Sequence, residues 1–137
     1  MTTLAEHMEL IKTTLAAKYP HRQVTRSLKD FADRPALQLK AGVYTLMSDG
    51  EYDYPNYNGL EGMFGKHRIR LVGQILLPEN SEPVDTENAE LAMVEEIKAF
   101  TQTLPANLCS LVMMDFEQSR QWEHPNGWVG INLEAIW

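Results

Sequence analysis

The chain is predicted to be an α+β domain in which two helices pack on one face of a mainly antiparallel sheet, in the order α-β-β-α-β-β, with a long loop between the first two strands. Three observations predict it. Two segments, 3–18 and 85–104, repeat apolar residues every three or four positions, the period of a helix with one buried face. Two others, 36–47 and 66–77, alternate apolar and polar residues, the period of a half-buried strand, and 108–137 holds two further strand-like runs. The length of 137 residues suits one domain, 1–137, with a single core, and no repeat or low-complexity tract divides it.

The first helix should start at Thr3, because Thr3 and Glu6 have the spacing of a capping box, and it should run to Lys18, just before Pro20. Leu4, Met8, Ile11 and Leu15 form its apolar stripe. Residues 20–34 are polar and mixed, with a short turn expected around Leu28 to Phe31. Pro35 then leads into an extended run, ALQLKAGVYTLM. There Leu37, Leu39, Ala41 and Val43 alternate with Gln38, Lys40, Gly42 and Tyr44, and Gly42 is read as a bulge.

Ser48 to Gly65, SDGEYDYPNYNGLEGMFG, follows without a period of its own. Loops of this length inside a compact domain usually bind something or are disordered. Tyr52, Tyr54, Tyr57 and Phe64 offer large amphipathic surfaces, while Gly50, Gly59, Gly62, Gly65, Pro55, Asn56 and Asn58 disfavour helix and sheet. The segment is therefore read as a binding arm.

Lys66 to Leu77 is the clearest strand, with Ile69, Leu71, Ile75 and Leu77 on one face and Lys66, Arg68, Arg70 and Gln74 on the other. Pro78 to Pro83 breaks the chain. Asp85 or Thr86 is expected to cap a second helix reaching about Leu104, with Glu87 and Glu90 near its positive end. Its stripe is Ala89, Met93, Ile97, Phe100 and Leu104, which leaves Leu91 and Val94 to face a second surface. After Pro105, strands over Leu108–Trp122 and Trp128–Trp137 are joined through His124, Pro125, Asn126 and Gly127, where Asn-Gly is the turn signal.

Composition narrows the function classes. No apolar run approaches the ~20 residues of a bilayer span. MTTLAEHMEL lacks the basic start and apolar core of a signal peptide, so cytoplasmic synthesis is expected and no membrane partner. The single Cys109, among Leu108, Leu111 and Val112, reads as a buried structural thiol. The net charge of −7 is uneven: residues 1–76 hold ten Lys/Arg and eight Asp/Glu, for +2, and residues 77–137 hold two and eleven, for −9. If the halves form opposite faces, copies attract head to tail; otherwise the acidic half is simply a solvated helix. Tight binding to a nucleic-acid backbone is disfavoured because it needs a concentrated basic surface.

The residues also argue against several chemistries. GLEGMFGKH has Leu60 and His67 where a P-loop needs glycine and a hydroxyl residue. His7, His21, His67 and His124 show no metal-ligand spacing, although His67 and His124 border strands of one expected sheet. Asp49, Glu51 and Asp53 lack the glycine and closing glutamate of a calcium loop. The serines have no nucleophile-elbow context. No catalytic residue, cofactor or metal is assigned, and the chain is not read as an enzyme. Charge on the strands is more telling: Lys66, Arg68 and Arg70 project outward from one strand, and Asp115, Glu117 and Glu134 from the others. They can pair within one sheet or between subunits, and the sequence leaves both open. Of Trp122, Trp128 and Trp137, at least two are expected in the core.

The whole layout resembles the tail terminator proteins of long-tailed phages, of the Mu-like and lambda-like kinds found in prophages. The resemblance rests on the capped helix from Thr3, RPALQL opening the first strand, the EYDYPNYNGLEGMFG arm, the HRIRLVGQILLP strand, the acidic ENAELAMVEEIKAF helix, and the VMMDFEQSRQW and WVGINLEAIW hairpin. It implies an α+β fold and a six-membered ring of identical chains capping the finished tail tube. It also implies a docking surface for head-completion or neck proteins, with DNA only passing through the pore. On that resemblance Tyr52, Tyr54, Tyr57 and Phe64 contact the tail tube or an adjacent subunit, and Lys66, Arg68 and Arg70 orient packing. The protein would work in the host cytoplasm during assembly and then in the virion tail. Alternatives are another neck or tail-completion protein, or a small cytoplasmic ligand-binding or enzymatic domain with residues 48–65 as a lid.

Overall fold

The computed structural model describes residues 3–54 and 64–137. Helix α1 spans Leu4–Lys18, strand β1 Gln23–Thr25, a 3₁₀ turn Phe31–Asp33, and helix α2 Ala36–Ala41. Strands β2 (Val43–Tyr52) and β3 (Lys66–Leu76) come next, then helix α3 (Pro83–Gln102) and strands β4 (Ser110–Gln118) and β5 (Asn126–Ile136). The strands form one sheet in the order β1-β2-β3-β5-β4, with β1 parallel to β2 and every other pairing antiparallel. The expected α+β class and the six expected elements are present in order, and β1 and α2 are additional.

The α1 terminus follows the predicted chemistry. The Glu6 amide donates to Thr3 Oγ1 at 3.1 Å and the Thr3 amide donates to Glu6 Oε2 at 3.1 Å, which satisfies donors the helix leaves unbonded. Met8, Ile11 and Leu15 bury fully, while Leu4 is half-buried.

The extended run expected after Pro35 is a helix over its first half. Pro35 occupies the N-cap, and Gly42 at φ +84° ends α2, so this glycine is a helix stop rather than a bulge. The alternation of Leu37, Leu39 and Ala41 was coincidental: Leu39 is buried and Leu37 is 81% exposed. β2 then continues to Tyr52, so the first five residues assigned to the arm are strand. Its register against β3 shifts between Ser48 and Glu51, where Gly50 takes φ +98°.

Helix α3 starts earlier than expected. Pro83 takes the first helical position and the Glu82 amide donates to Asp85 Oδ2 at 2.8 Å, so neither Asp85 nor Thr86 is the cap. Val94 packs in the core and not on a second surface. Asn126 and Gly127 begin β5 rather than forming the turn, because the turn lies upstream, where Arg120 and Gln121 adopt positive φ.

α1 and α3 cover the inner sheet face. Met8, Ile11, Leu15, Met93, Ile97 and Phe100 meet Tyr44, Leu46, Ile69, Leu71, Ile131 and Leu133 in one continuous core. At roughly 1.5–3 kcal/mol for each large apolar side chain buried, this core is the main favourable term in folding. Glu96 of α3 ties that helix to the β1 corner: Arg22 donates to it at 3.1 and 2.7 Å and Tyr44 Oη at 2.8 Å. Burial works against the Glu96 carboxylate, but those donors outweigh it and hold its pKa below the usual carboxylate value. The thiol of Cys109 is buried and its pKa is pushed up to about 11 by that burial.

The outer face is covered over only part of its width. Arg34 donates to Gln74 Oε1 at 3.0 Å, to Thr45 Oγ1 at 3.2 Å and to the Ser27 carbonyl at 2.9 Å, which holds segment 27–35 over β2 and β3. The β3, β5 and β4 residues beyond that segment leave the outer face open.

Candidate functional site

Two groups of side chains occupy the open face. In the first, Tyr52 at the end of β2 directs its hydroxyl to Glu134 Oε2 at 2.6 Å, and the Arg68 guanidinium sits 4.1 Å from its ring centroid. The Lys66 ammonium lies 5.9 Å from the same ring. The hydrogen bond to Glu134 leads the causes that raise the Tyr52 pKa. In the second group, Arg70 donates to Glu117 Oε1 at 2.5 Å and to Asn132 Oδ1 at 3.1 Å, and Asn132 donates in turn to Asp115. Of the charges that the sequence left unassigned, Arg70 and Glu117 therefore pair within the sheet, while Glu134 accepts from Tyr52 and Asp115 from Asn132.

Sheet register explains the second group. Arg70 faces Asn132, Asp115 also faces Asn132, and Glu117 faces Gly130. Gly130 has no side chain, so the Arg70 guanidinium passes over β5 to reach β4; a Cβ there would collide with it. A hollow of about 380 Å³ lies beside these residues, lined by Asp49, Arg68, Met114, Asn132 and Glu134 among others.

The base of the arm is clamped by Glu51. Tyr54 Oη donates to Glu51 Oε1 at 2.7 Å and the Gly65 amide donates to Glu51 Oε2 at 3.0 Å, so one carboxylate holds the chain on both sides. Gly65 approaches so closely that a Cβ would collide with the Tyr52 carbonyl oxygen. Phe64 packs on the His7 ring at 4.8 Å between centroids. Tyr57 lies outside the described residues.

Beside this base are groups that the sequence reading missed. His7 stacks on Trp137, centroids 3.6 Å apart and planes 12° from parallel, and His67 shares a 2.7 Å hydrogen bond with Ser48 Oγ. Both histidines are buried, and Nδ1 of each and Nε1 of Trp137 have no hydrogen-bond partner. Burial is the leading cause that lowers both histidine pKa values, and His67 adds repulsion at His7. The signal for His7 was its place three residues after Leu4 and four before Ile11, on the buried side of α1. His67 does not meet His124, which instead bonds Thr86 Oγ1 at 2.6 Å and the Ser81 carbonyl at 3.0 Å. Among the described residues no group of three or more His, Cys, Asp or Glu side chains is placed to hold a metal ion.

The β4 edge was also missed. Val112, Met114 and Phe116 are 52%, 55% and 38% exposed, and Trp122 in the following turn is 85% exposed, so it serves no core role. A large apolar set on an edge strand is a surface that another chain can cover.

No family model matches the chain, and no curated protein matches it. No helix among the described residues is long and apolar enough to cross a membrane.

Proposed function

We propose that the chain is a structural subunit of long-tailed phage assembly, of the tail terminator kind: identical copies form a ring that caps the tail tube and offers a surface to head-completion or neck proteins. The observation that carries this reading is the built base of the arm. Glu51 fixes Tyr54 and Gly65 together, and Phe64 is seated on His7, so the chain between them departs from a rigid platform beside an open, mixed-charge sheet face. A segment held this way suits contact with a tube or a neighbouring subunit better than a free linker does. The whole-chain layout supports the same reading, although RPALQL contributes a helix and not a strand to it. DNA passes the ring without being gripped, since a chain of net charge −7 gains nothing from releasing phosphate counterions. Work in the host cytoplasm and then in the virion tail belongs to this proposal.

Electron microscopy of the purified protein, alone and mixed with tail tubes built from the neighbouring tail-tube gene product, tests it. Closed rings with a central opening, seated at tube ends, are expected. Failure to form rings either alone or on tubes would refute it.

A second reading, a ligand-binding domain with residues 48–65 as a lid, is favoured by one observation: three buried polar atoms without partners gather at the arm base. A small molecule that raises the melting temperature of the native chain but not of His67→Phe would support it.

A further inference from the structure

We propose that the hollow between β1, α2 and segment 27–35 binds a phosphate group, as the free ion or as the phosphate of a small ester. The site lies by Val43 at the start of β2, away from the arm that follows its end at Tyr52, and it does not depend on the ring reading. The hollow measures about 400 Å³, and its lining includes Gln23, Ser27, Lys29, Arg34 and Gln38. Two of these side chains are cations, and no carboxylate among the described residues lines it. An anion that enters meets only positive charge and neutral donors.

Arg34 is the centre of the site. Three neutral acceptors fix its guanidinium: Nε donates to Gln74 Oε1 at 3.0 Å, and Nη2 to the Ser27 carbonyl at 2.9 Å and Thr45 Oγ1 at 3.2 Å. Gln74 and Thr45 are themselves buried, and Gln74 Nε2 donates to the Lys29 carbonyl at 3.0 Å, so the chain at Lys29 is held beside the same group. Among the described residues Nη1 of Arg34 donates to nothing and no carboxylate pairs with it, although Asp30 and Asp33 are close in the sequence. Arg22, Arg26 and Arg70, by contrast, each pair with a glutamate. Burial lowers the Arg34 pKa, yet an arginine stays charged at neutral pH, so a partly desolvated cation stands without a counter-charge. Ser27 and Lys29 bond through backbone atoms, which leaves a hydroxyl and an ammonium as further donors. A fixed guanidinium and an ammonium together match the two charges of a phosphate better than the single charge of a carboxylate.

Titration of the native chain with inorganic phosphate at constant ionic strength tests this, at about pH 7.5, where a phosphate group is mostly doubly charged. Amide NMR shifts and the melting temperature are the readouts. Saturable shifts confined to residues 23–45 are expected, with a melting temperature about 4 °C higher once phosphate exceeds its Kd tenfold. Lys29→Gln should leave the phosphate-free melting temperature unchanged, because Lys29 is tied to the fold by its carbonyl, and should weaken binding about tenfold. Lys29→Glu should abolish binding and raise the phosphate-free melting temperature, since the new carboxylate supplies the counter-charge that Arg34 lacks. No saturable shift up to about 20 mM phosphate, acetate binding as tightly as phosphate, or Lys29→Glu binding like the native chain would each overturn the proposal. Phenyl phosphate binding more tightly than inorganic phosphate would support the site and identify an ester as its ligand; equal binding would support it with the free ion. None of these readouts depends on assembly, so a chain that forms no ring can still bind phosphate, and a ring can form without it.

Discussion

Arg70 and Glu117 lie on strands that do not touch, yet they form an ion pair at 2.5 Å, because the strand between them carries Gly130 where the guanidinium crosses. The pair spans three strands on the part of the outer face that segment 27–35 leaves open.

Its worth should be modest, since Glu117 is more than half exposed. A double-mutant cycle with Arg70→Ala and Glu117→Ala, read by urea unfolding, should give a coupling of about 0.2–1 kcal/mol that shrinks in high salt. In a Gly130→Ala background the coupling should fall to near zero, because the new methyl displaces the guanidinium. An unchanged coupling there would show that the arginine reaches Glu117 by another route.

Glu90 is fully buried on α3 and accepts from the Trp128 amide at 2.9 Å, from Gln118 Nε2 at 3.1 Å and from Ser119 Oγ. It thereby fixes the start of β5 and the end of β4 to the helix. Glu90→Ala removes the acceptor of the Trp128 amide and the Ser119 hydroxyl, while Gln118 keeps the Glu87 carbonyl at 3.4 Å, and a loss of about 2–4 kcal/mol is expected from the cost of unsatisfied buried groups. Chemical denaturation measures it; a loss under about 1 kcal/mol would mean that water replaces the carboxylate.

His7 and His67 make stability depend on pH. Both have folded pKa values lowered from 6.5, burial being the first cause, and Glu6 and Glu51 only partly offset this at His7. A histidine held neutral in the fold binds its proton more readily when unfolded. The contribution is therefore complete above pH 6.5 and is lost as pH falls below it, by at most ~1.4 kcal/mol per pH unit for each residue. Melting curves between pH 7.5 and about 5 should show the decline, and His67→Phe should flatten it. A slope that survives in the double variant His7→Phe, His67→Phe would place the titrating groups elsewhere.

Gly65→Ala should destabilise the arm base more than Gly50→Ala does. At Gly65 the new Cβ meets the Tyr52 backbone, which cannot swing aside, whereas at Gly50 the space is open and only the φ of +98° opposes it. We expect about 2 kcal/mol against about 1. Thermal unfolding of the two variants gives the comparison, and equal losses would mean that the close approach at Gly65 relaxes freely.

The sequence disclosed whatever was periodic over a long enough stretch. Eleven alternating residues of β3 and a capped fifteen-residue α1 were legible because burial repeats along them many times. The six-residue α2 was not, since at that length Leu37, Leu39 and Ala41 match a strand as well as a helix, and only the φ of Gly42 distinguishes the two. β1 has three residues and no pattern to find. Of the site, the outward charges of β3 and β4 were visible but their partners were not: pairing depends on which strands are neighbours, and Gly130 gave no sign of its role. His7 and His67 are brought together by the packing of α1 on the sheet, sixty residues apart along the chain, which no local pattern encodes.

The position of β5 bears on how the molecule is made. It follows every other strand in the chain yet lies between β3 and β4, so the sheet has no middle until residues beyond Asn126 have been synthesised. Until then the β3 backbone edge that β5 will pair with is bare, and β4 has nothing to pair with. A ribosome-bound chain is thus exposed to its own neighbours on a polysome at the stage when it most resembles a sticky fragment, and protection arrives in one late step. Nascent chains arrested at residue 125 should be cut by protease throughout, and chains extended past residue 137 should resist it.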